Sequence, residues 1–335
     1  MCGAPQYFEH SGPKSAAHRD AVAVSNTRRR FDSFAVSVDF PPFAELLRLF
    51  PGWGESNVVK PLINTKRFRV GSFHGSSVPG STRVKGVEER WSLVTGASTG
   101  LGRALAHELA RRGYSVVLVS RRRDALEVVA REIASRWGSA TEVLVADLHD
   151  SADRERVGDR LVDSLRPIEV LVNNAGYGIR GDLHQTEWSA ESAHTDIHVT
   201  IPLQLAHRVL PGMLERGTGL IVFVASVAAF LTGGTYSSAK AWAVMMARSI
   251  SARYRSEGVT ATALCPGFTR TEFHERMGFN TAPIPRFAWL ASERVARTGI
   301  HDALRRKSVS VPSALYRMIV AVAGVIPDRF HRTGV

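Results

Sequence analysis

The stretch that decides the fold is Trp91-Ser92-Leu93-Val94-Thr95-Gly96-Ala97-Ser98-Thr99-Gly100-Leu101-Gly102. An apolar run, which predicts a strand, leads directly into a glycine-rich turn, and an amphipathic helical pattern follows. Glycines let such a turn close tightly and let its backbone approach a phosphate, while the helix N-terminus offers free N–H groups and positive dipole. A strand before the turn and a helix after it distinguish a dinucleotide site from an ordinary glycine-rich connection. The sequence therefore predicts that a dinucleotide pyrophosphate binds at this turn.

From Trp91 onward, short apolar runs alternate with amphipathic helical stretches. The predicted strands are Trp91–Thr95, Ser115–Ser120, Glu142–Ala146, Val170–Asn173, Leu220–Ala225, Val259–Leu264 and Ser308–Val311. The predicted helices are Leu101–Arg112, Asp124–Trp137, Ser151–Leu165, Trp188–Met213, Tyr236–Arg255 and Ser292–Arg306. Gly113, Gly138 and Gly258 follow three of these helices, where a left-handed cap favours glycine. Continuous apolar strands in this alternation predict an α/β fold: a doubly wound parallel sheet (Rossmann fold) with ligands at the carboxyl ends of its strands.

The net charge of +12 would by itself suggest a nucleic acid or an anionic membrane as a partner. Residues 91–269, however, carry 19 basic and 18 acidic side chains, whereas residues 1–90 carry 13 and 8 and residues 270–335 carry 11 and 5. The centre is near neutral, and no helix-turn-helix or aromatic-basic interleaving is apparent. We therefore expect no nucleic-acid partner.

Residues 1–88 differ from the rest, being rich in Ser, Gly, Pro and Arg without a regular strand pattern. They predict a disordered N-terminal extension of low order, with a partner- or membrane-binding arm as the alternative. The catalytic domain is assigned to 89–312, and 313–335 to an amphipathic C-terminal helix, Ser313–Ile326, with a basic tail. That helix can dock on a membrane or pack on the domain or a neighbouring subunit.

The cysteines and the apolar segments of the sequence indicate where in the cell the protein is expected. Cys2 and Cys265 lie too far apart in sequence to suggest a disulfide framework, and no metal-ligand cluster is seen, so no metal is expected. No apolar h-region opens the chain and no apolar run reaches the roughly 18 residues of a membrane span. We expect a cytoplasmic protein, with membrane association through the C-terminal helix left open.

Polar and charged residues follow the second, third and fourth predicted strands. An NAD site would place an acidic residue at the end of the second strand, where this sequence has Arg121 and Arg122. Guanidinium groups suit a 2′-phosphate, so NADP is favoured over the alternative of a solvated arginine turn. Asp147, before Leu148, can accept from the adenine amine or cap the next helix. Side-chain amides in Asn173–Gly176 can bridge backbone and line the cofactor pocket.

Three motifs in order, the glycine-rich turn, Asn173-Asn174-Ala175-Gly176 and Tyr236-Ser237-Ser238-Ala239-Lys240, resemble those of the short-chain dehydrogenase/reductase superfamily over roughly residues 90–312. The tail resembles those of some actinobacterial members. The resemblance implies NADP(H)-dependent interconversion of a carbonyl and an alcohol, by a homodimer or homotetramer associating through the helices at 188–213 and 236–255. The cofactor-binding residues expected are Thr95, Gly96, Ser98, Gly100, Leu101, Gly102, Arg121, Arg122, Asp147, Leu148, Asn174, Ala175, Gly176, Tyr236, Lys240, Pro266, Gly267, Thr269 and Thr271.

Hydride transfer at a carbonyl needs a proton donor, and Tyr236 can serve although a free phenol titrates near pH 10. Lys240 lies one helical turn on, where its charge should lower the pKa of the phenol. It is also the only lysine between residues 86 and 306, in a chain that otherwise uses arginine. The resemblance implies that Lys240 also bonds the nicotinamide ribose.

Two further catalytic residues are implied by the resemblance. Ser226, at the end of the fifth strand, would hold and polarise the substrate oxygen, although it lies ten residues before Tyr236 where the family more often has thirteen. His198 stands where relatives carry an asparagine, and either maintains a water-bridged proton relay to Lys240 or is a packed polar residue. Thr269 and Thr271, after Pro266-Gly267, match residues that meet the nicotinamide carboxamide.

The segment from Phe273 to Leu290 corresponds to the part that covers the substrate pocket in relatives. Its apolar residues are Phe273, Met277, Phe279, Ile284, Phe287, Trp289 and Leu290. They favour an apolar substrate such as a lipid, a steroid or a long-chain ketone, and ordinary lid packing is the alternative. Arg270 and Arg286 leave a charged substrate open. A different class of function, a dinucleotide-sensing regulator on the same fold, is disfavoured because it would not need Ser226, Tyr236 and Lys240 together.

Overall fold

The computed structural model describes residues 89–179, 181–272 and 285–323. Within them, seven strands form one parallel sheet in the order β3-β2-β1-β4-β5-β6-β7. The strands are β1 Trp91–Thr95, β2 Ser115–Ser120, β3 Thr141–Val145, β4 Ile168–Asn173, β5 Gly219–Val224, β6 Val259–Leu264 and β7 Val309–Ser310. The doubly wound parallel sheet predicted from the sequence is confirmed.

Helices cover both faces of this sheet. They are α1 Gly100–Arg111, α2 Arg123–Trp137, α3 Ser151–Leu161, α4 Trp188–Thr195, α5 Ile201–Glu215, α6 Gly234–Tyr254, α7 Ser292–Leu304 and α8 Ala314–Ala323. Leu93 and Val94 are adjacent in β1 and both fully buried, yet they belong to different apolar clusters. The cluster of Leu93 includes residues of α3, α5 and α6, and that of Val94 includes residues of α1, α2 and α7.

Three helix predictions need correction. The helix predicted over Trp188–Met213 is interrupted by a π-helical turn at Asp196–Thr200. The helix predicted to reach Leu165 ends at Leu161, since the Asp163 carboxylate accepts the N–H groups of Leu165 and Arg166 in a turn. The C-terminal helix spans Ala314–Ala323, so it begins one residue after the predicted start at Ser313, and residues 324–326 lie outside the described residues.

The glycine caps were predicted correctly. Gly113, Gly138 and Gly258 have φ angles of +87°, +64° and +83°, the left-handed region that glycine adopts without a steric penalty. Each therefore ends its helix and turns the chain toward the next strand.

The strand order places the carboxyl ends of β1 and β4 side by side, with β2 and β5 flanking them. The connections from β1 and β4 lead to opposite sides of the sheet, so a crevice opens between them, which is where doubly wound sheets bind ligands. The glycine-rich turn, the Asn173–Gly176 segment and Ser226 all follow strands that end at this crevice.

Candidate active site

The turn after β1 has no room for side chains at its glycines. Gly96 and Gly100 have φ angles of +65° and +55°, and a Cβ on Gly102 would overlap the carbonyl oxygen of Gly96. A Cβ on Gly100 would lie 3.1 Å from Thr271. The backbone of the turn is therefore closely approachable, as a pyrophosphate requires.

The N-terminus of α1 is open to an anion. In the described structure Thr99 makes no side-chain capping bond there, and the first turn of α1 contains no acidic residue. The N–H groups and the positive end of the helix dipole can therefore meet a phosphate. These features fit a dinucleotide.

Thr95 and Asn174 hold the turn in place. The Thr95 hydroxyl accepts the N–H groups of Asn174 (2.9 Å) and Ala175 (3.0 Å). The Asn174 amide donates to the carbonyls of Thr95 (2.8 Å) and Gly96 (3.3 Å). Because Thr95 is buried, its side chain organises the site from beneath instead of facing a ligand. The bridging expected of the asparagine amides is found at Asn174.

The ends of β2 and β3 meet at the outer edge of the crevice. The exposed Arg121 guanidinium lies 3.7 Å from the Asp147 carboxylate, and Arg122 is also exposed beside it. Asp147 accepts the N–H of His149 at 3.0 Å, while the helix that follows is capped by Asp150. Asp147 is therefore not the helix cap that was one of its two predicted roles, and the Leu148 side chain is buried.

Ser226 and Tyr236 are in direct contact. Ser226 follows β5 in an extended conformation, and its hydroxyl accepts the N–H of Ala228 at 3.1 Å. Its side chain also shares a hydrogen bond with the Tyr236 phenol. The ten-residue separation therefore still brings the two hydroxyls together, since the short 3₁₀-helix Val227–Phe230 closes the connection.

Lys240 lies one turn further along α6 and is buried. Its Nζ donates to the carbonyl of Val224 at 2.7 Å and lies 5.5 Å from the centre of the Tyr236 ring. Burial lowers the pKa of Lys240 to about 8 because the charged form is poorly solvated. Tyr236 and Lys240 thus share one face of α6 with Ser226 opposite, as the spacing predicted.

The expectation that Lys240 lowers the pKa of Tyr236 is wrong for this structure. Burial raises the pKa of the Tyr236 phenol to about 12, and the hydrogen bond from Ser226 acts in the opposite direction without cancelling it. Desolvation of the phenolate is the larger of these two effects. At neutral pH the phenol is therefore protonated.

The loop after β6 is tied to the C-terminal helix. The Tyr316 hydroxyl of α8 accepts the N–H of Phe268 at 3.1 Å and donates to the carbonyl of Ala288 at 2.8 Å. A Cβ on Gly267 would overlap the Tyr316 ring, and Thr269 donates to the Gly267 carbonyl at 2.9 Å. This part of the C-terminal helix packs on the domain and shapes the Pro266–Thr271 loop.

His198 lies in the π-helical turn and is buried. Its Nε2 is 2.6 Å from the Tyr177 carbonyl, and a Cβ on Gly176 would overlap the ring. Burial, together with the nearby Lys240 charge, lowers the pKa of His198 well below 6.5. His198, Lys240 and Asn173 line a cavity of about 10 Å³, which is the space that one water molecule needs.

The sequence reasoning missed His194, whose imidazole is completely buried beside this site. The ring centres of His194 and His198 are 4.5 Å apart, and that of Tyr236 is 6.1 Å from His194. The only sequence signal is the four-residue spacing to His198, which places both histidines on one helical face.

Other predicted residues are placed as follows. Four predicted cofactor residues are half-buried: Ser98, Leu101, Ala175 and Thr271. Gly176 is exposed. Cys265 is buried, and this burial raises the pKa of its thiol to about 12. Of the predicted substrate segment, Phe273, Met277, Phe279 and Ile284 lie outside the described residues, as do the N-terminal extension and the basic tail. Phe287 is exposed, and Trp289 lies 5.7 Å from Phe268, between ring centres. The residues that the structure describes contain no group of three or more metal-ligating side chains.

Comparison with known proteins defines the class of this fold and site. The sequence model of the short chain dehydrogenase family matches residues 90–280. This chain belongs to the short-chain dehydrogenase/reductase superfamily.

Two curated relatives cover the same region. The chain is 34% identical over 192 residues to very-long-chain 3-oxoacyl-CoA reductase from Anas platyrhynchos, a match covering 54% of this chain and 60% of that protein. It is 32% identical over 209 residues to inactive hydroxysteroid dehydrogenase-like protein 1 from Homo sapiens, covering 60% and 61%. The matched region thus spans less than two thirds of these relatives.

Solved structures share the fold. A short-chain dehydrogenase from Sphingobium yanoikuyae in complex with NADPH is 29% identical, with a TM-score of 0.64, over 71% of this chain and 96% of that one. The described domain therefore corresponds to nearly the whole of a solved family member that holds NADPH.

Proposed function

We propose that this protein is an NADP(H)-dependent oxidoreductase that interconverts a ketone or aldehyde and an alcohol. The observation that carries the proposal is the hydrogen bond between Ser226 and Tyr236, with the Lys240 ammonium on the same face of α6. These groups lie where β5 ends, at the crevice that also contains the glycine-rich turn. The site therefore combines a proton donor (Tyr236), a second hydroxyl (Ser226) and a positive charge (Lys240).

The cofactor would be held by the turn and by the arginines after β2. The backbone of Gly96–Gly102 and the open N-terminus of α1 would bind the pyrophosphate, and Arg121 and Arg122 the 2′-phosphate. The NADPH bound to the Sphingobium yanoikuyae relative supports this assignment. When bound, the nicotinamide supplies or accepts the hydride.

The protein's own residues then manage the proton. The Ser226 hydroxyl would hold the substrate oxygen beside the Tyr236 phenol, which donates its proton as the alcohol forms. A pKa of about 12 keeps Tyr236 protonated at neutral pH, the form that carbonyl reduction requires. The Lys240 charge would stabilise the phenolate that remains after the transfer.

The substrate we propose is apolar. Trp289 packs on Phe268, and Phe287, two residues before Trp289, is 75% exposed. The described part of the segment predicted to cover the substrate pocket is therefore aromatic. The name of the Anas platyrhynchos relative, a very-long-chain 3-oxoacyl-CoA reductase, supports a long-chain carbonyl. Steroid and long-chain ketones belong to the same proposal.

The test is a screen for turnover with NADPH and with NADH. The substrates would be a long-chain 3-oxoacyl-CoA, a long-chain methyl ketone, a keto-steroid and a small charged keto acid. Tyr236→Phe should lower kcat by at least about 100-fold while NADPH still binds. Full turnover by Tyr236→Phe would overturn the mechanism.

A second candidate is a dinucleotide-sensing regulator without turnover. One observation favours it: a human relative, 32% identical over 209 residues, is named inactive. Tight NADPH binding with no turnover across the substrate panel would support the regulator. Turnover that depends on Tyr236 would exclude it.

Assembly and location remain predictions. A homodimer or homotetramer through α4–α5 and α6 is proposed on family resemblance. A cytoplasmic location, with peripheral membrane contact through the amphipathic C-terminal helix, is proposed on the sequence. In the part of the chain that is described, no helix is both long and apolar enough to cross a membrane.

A further inference from the structure

The C-terminal helix α8 is apolar on almost every side but is covered on only one. Apart from Arg317 it contains only Ala, Leu, Tyr, Met, Ile and Val. Within it only Tyr316 and Ala323 are buried, whereas Met318 is 45% exposed and Ile319 is 38% exposed. A helix that is apolar all round is normally buried. The outward face of α8 is therefore a candidate docking surface.

A second exposed apolar side chain lies beside this helix. The 3₁₀ turn Arg286–Ala288 contains Phe287, whose side chain is 75% exposed. The Tyr316 hydroxyl donates to the carbonyl of Ala288 at 2.8 Å, which fixes the turn against the inner side of α8. We call the exposed side chains of Phe287, Met318 and Ile319 the apolar edge. Two separate segments of the chain therefore contribute to it.

The charge around the apolar edge is positive. Arg286 in the turn and Arg317 on α8 are both exposed, and neither residues 285–290 nor Ala314–Ala323 include an aspartate or a glutamate. Apolar side chains bordered by cations are the composition that binds the surface of an anionic lipid bilayer. The ten residues of α8 extend about 15 Å, roughly half the hydrocarbon thickness, so the helix would lie in the interface and not span it.

A second copy of this chain fits the same surface less well. In a symmetric dimer each patch contacts the identical patch of the partner, so Arg286 and Arg317 of the two copies would approach one another. Their like charges would repel, and neither of the two segments supplies an acidic side chain to offset the repulsion. Lipid phosphate groups, in contrast, would neutralise both arginines. The charge of the surface therefore favours an anionic bilayer.

The apolar edge lies next to the candidate active site. Tyr316 belongs to the apolar cluster against which Phe268 and Val227 pack, and Val227 directly follows Ser226. The Tyr316 hydroxyl also accepts the N–H of Phe268, in the loop after β6. The turn that contains Phe287 belongs to the segment predicted to cover the substrate pocket. A bilayer in contact with the apolar edge would therefore lie close to the place where a substrate enters.

We propose that the apolar edge, together with Arg286 and Arg317, docks on an anionic lipid bilayer from which an apolar substrate reaches the site. The delivery of substrate rests on the proposed function, whereas the docking does not. Phe287, Met318 and Ile319 would enter the region between headgroups and acyl chains, and the two arginines would pair with lipid phosphates. A long-chain carbonyl compound partitions into the bilayer, so a docked enzyme meets it at a much higher concentration than in water.

The first experiment measures binding of the full chain to vesicles by sedimentation. The vesicles contain phosphatidylcholine alone or with about 30 mol% phosphatidylglycerol. Met318→Ser/Ile319→Ser should bind the anionic vesicles at least about 10-fold more weakly than the wild type, because two apolar side chains no longer enter the bilayer. Val162→Ser/Leu165→Ser is the matched control, because these side chains are 53% and 90% exposed and precede the amino end of β4, away from the site.

The contribution of charge is tested in the same assay. Arg286→Gln/Arg317→Gln should weaken binding to the anionic vesicles about 10- to 30-fold. Raising NaCl to about 0.5 M should weaken binding of the wild type to a similar extent, because salt screens the headgroup charge. Arg131→Gln/Arg305→Gln removes two exposed arginines outside the apolar edge and should have a much smaller effect. Circular dichroism establishes that each variant is folded.

The second experiment measures reduction by NADPH. It compares kcat/KM for a long-chain ketone embedded in the anionic vesicles with that for a short-chain ketone dissolved in water. Met318→Ser/Ile319→Ser should lose at least about 10-fold on the embedded ketone and keep its activity on the dissolved one. The Val162→Ser/Leu165→Ser control should keep both activities.

The outcomes separate docking from delivery and from the proposed function. Docking is overturned if the wild type does not bind the anionic vesicles, or if Met318→Ser/Ile319→Ser binds them equally well. It is also overturned if the wild type binds no vesicles and forms a dimer that this variant lacks, since the apolar edge is then a contact between copies. If the variant loses binding but reduces the embedded ketone normally, delivery is overturned and docking stands. If binding behaves as expected but the wild type reduces neither ketone, the proposed function and delivery fail and docking stands.

Discussion

The Lys240 ammonium donates a 2.7 Å hydrogen bond to the carbonyl of Val224, the last residue of the strand that leads to Ser226. One lysine on α6 is thereby fixed to the strand that presents the second hydroxyl of the site. This contact sets the distance between α6 and β5 where the chemistry is proposed to occur. It also satisfies one of the three hydrogen-bond donors of the buried ammonium.

Replacing Lys240 by methionine should separate activity from stability. Because burial lowers the pKa of Lys240 from 10.5 to about 8, the unfolded chain binds more protons than the folded one between these values. The free energy of unfolding of the wild type therefore rises as pH increases from about 8 to 10. Lys240→Met should lack this rise and be more stable at pH 7 by up to about 3 kcal/mol.

Although Lys240→Met should be more stable, its kcat should be at least about 100-fold lower than that of the wild type. Urea unfolding between pH 7 and 10, together with turnover assays, measures both effects. A pH dependence of unfolding equal to that of the wild type would contradict the buried-ammonium account.

The two arginines after β2 should decide between cofactors. Arg121→Ala/Arg122→Ala removes two exposed guanidinium groups that would pair with a 2′-phosphate, so the NADPH Kd should increase about 10- to 100-fold and the NADH Kd should stay constant. Isothermal titration calorimetry measures both constants. Arg123→Ala is the control, because Arg123 is equally basic but faces Glu127 at 3.9 Å. Equal losses for both cofactors would contradict a role at the 2′-phosphate.

Removing the Tyr316 hydroxyl should loosen the Pro266–Thr271 loop. Tyr316→Phe keeps the ring that packs on Gly267 but loses the bonds to Phe268 and Ala288, so the unfolding free energy should fall by about 1–3 kcal/mol. We also expect the NADPH Kd to rise several-fold. Chemical denaturation and calorimetry test this, with Tyr254→Phe at the end of α6 as the control. An unchanged NADPH Kd would mean that α8 stabilises the domain without shaping the cofactor loop.

The buried histidines should make the protein less stable in mild acid. The pKa of His198 is well below 6.5 and that of His194 is lowered too, both mainly because burial disfavours the charged ring. Below about pH 6.5 the unfolded chain gains protons that the folded one does not, so stability falls as pH decreases.

The slope should approach about 1.4 kcal/mol per pH unit for His198 and be smaller for His194, whose pKa is lowered less. His194→Gln/His198→Asn should flatten it between pH 6.5 and 5, and His207→Gln should not. Equilibrium unfolding in urea at several pH values gives the slopes. An unchanged slope in the double variant would show that other groups cause the acid sensitivity.

Much of the fold and most of the candidate site followed from local sequence. The strand, turn and helix around Gly96–Gly102 depend on short-range sterics and hydrogen bonds, and the order of α and β elements allows few sheet topologies. Tyr236 and Lys240 are four residues apart on one helix, so their common face is a matter of helical geometry. The positions of the glycine caps rest on the same local conformational limits.

The tertiary structure decided what depends on contacts between distant segments. Whether Ser226 reaches Tyr236 depends on how β5 and α6 pack. The pKa of the Tyr236 phenol depends mainly on its burial, which sequence spacing does not reveal. The spacing of His194 to His198 can be read from the sequence, but the burial of its ring and its unpaired nitrogens are visible only in the structure. The desolvation of a side chain and its hydrogen-bond partners depend on all the residues packed around it, and a local sequence motif does not specify those residues.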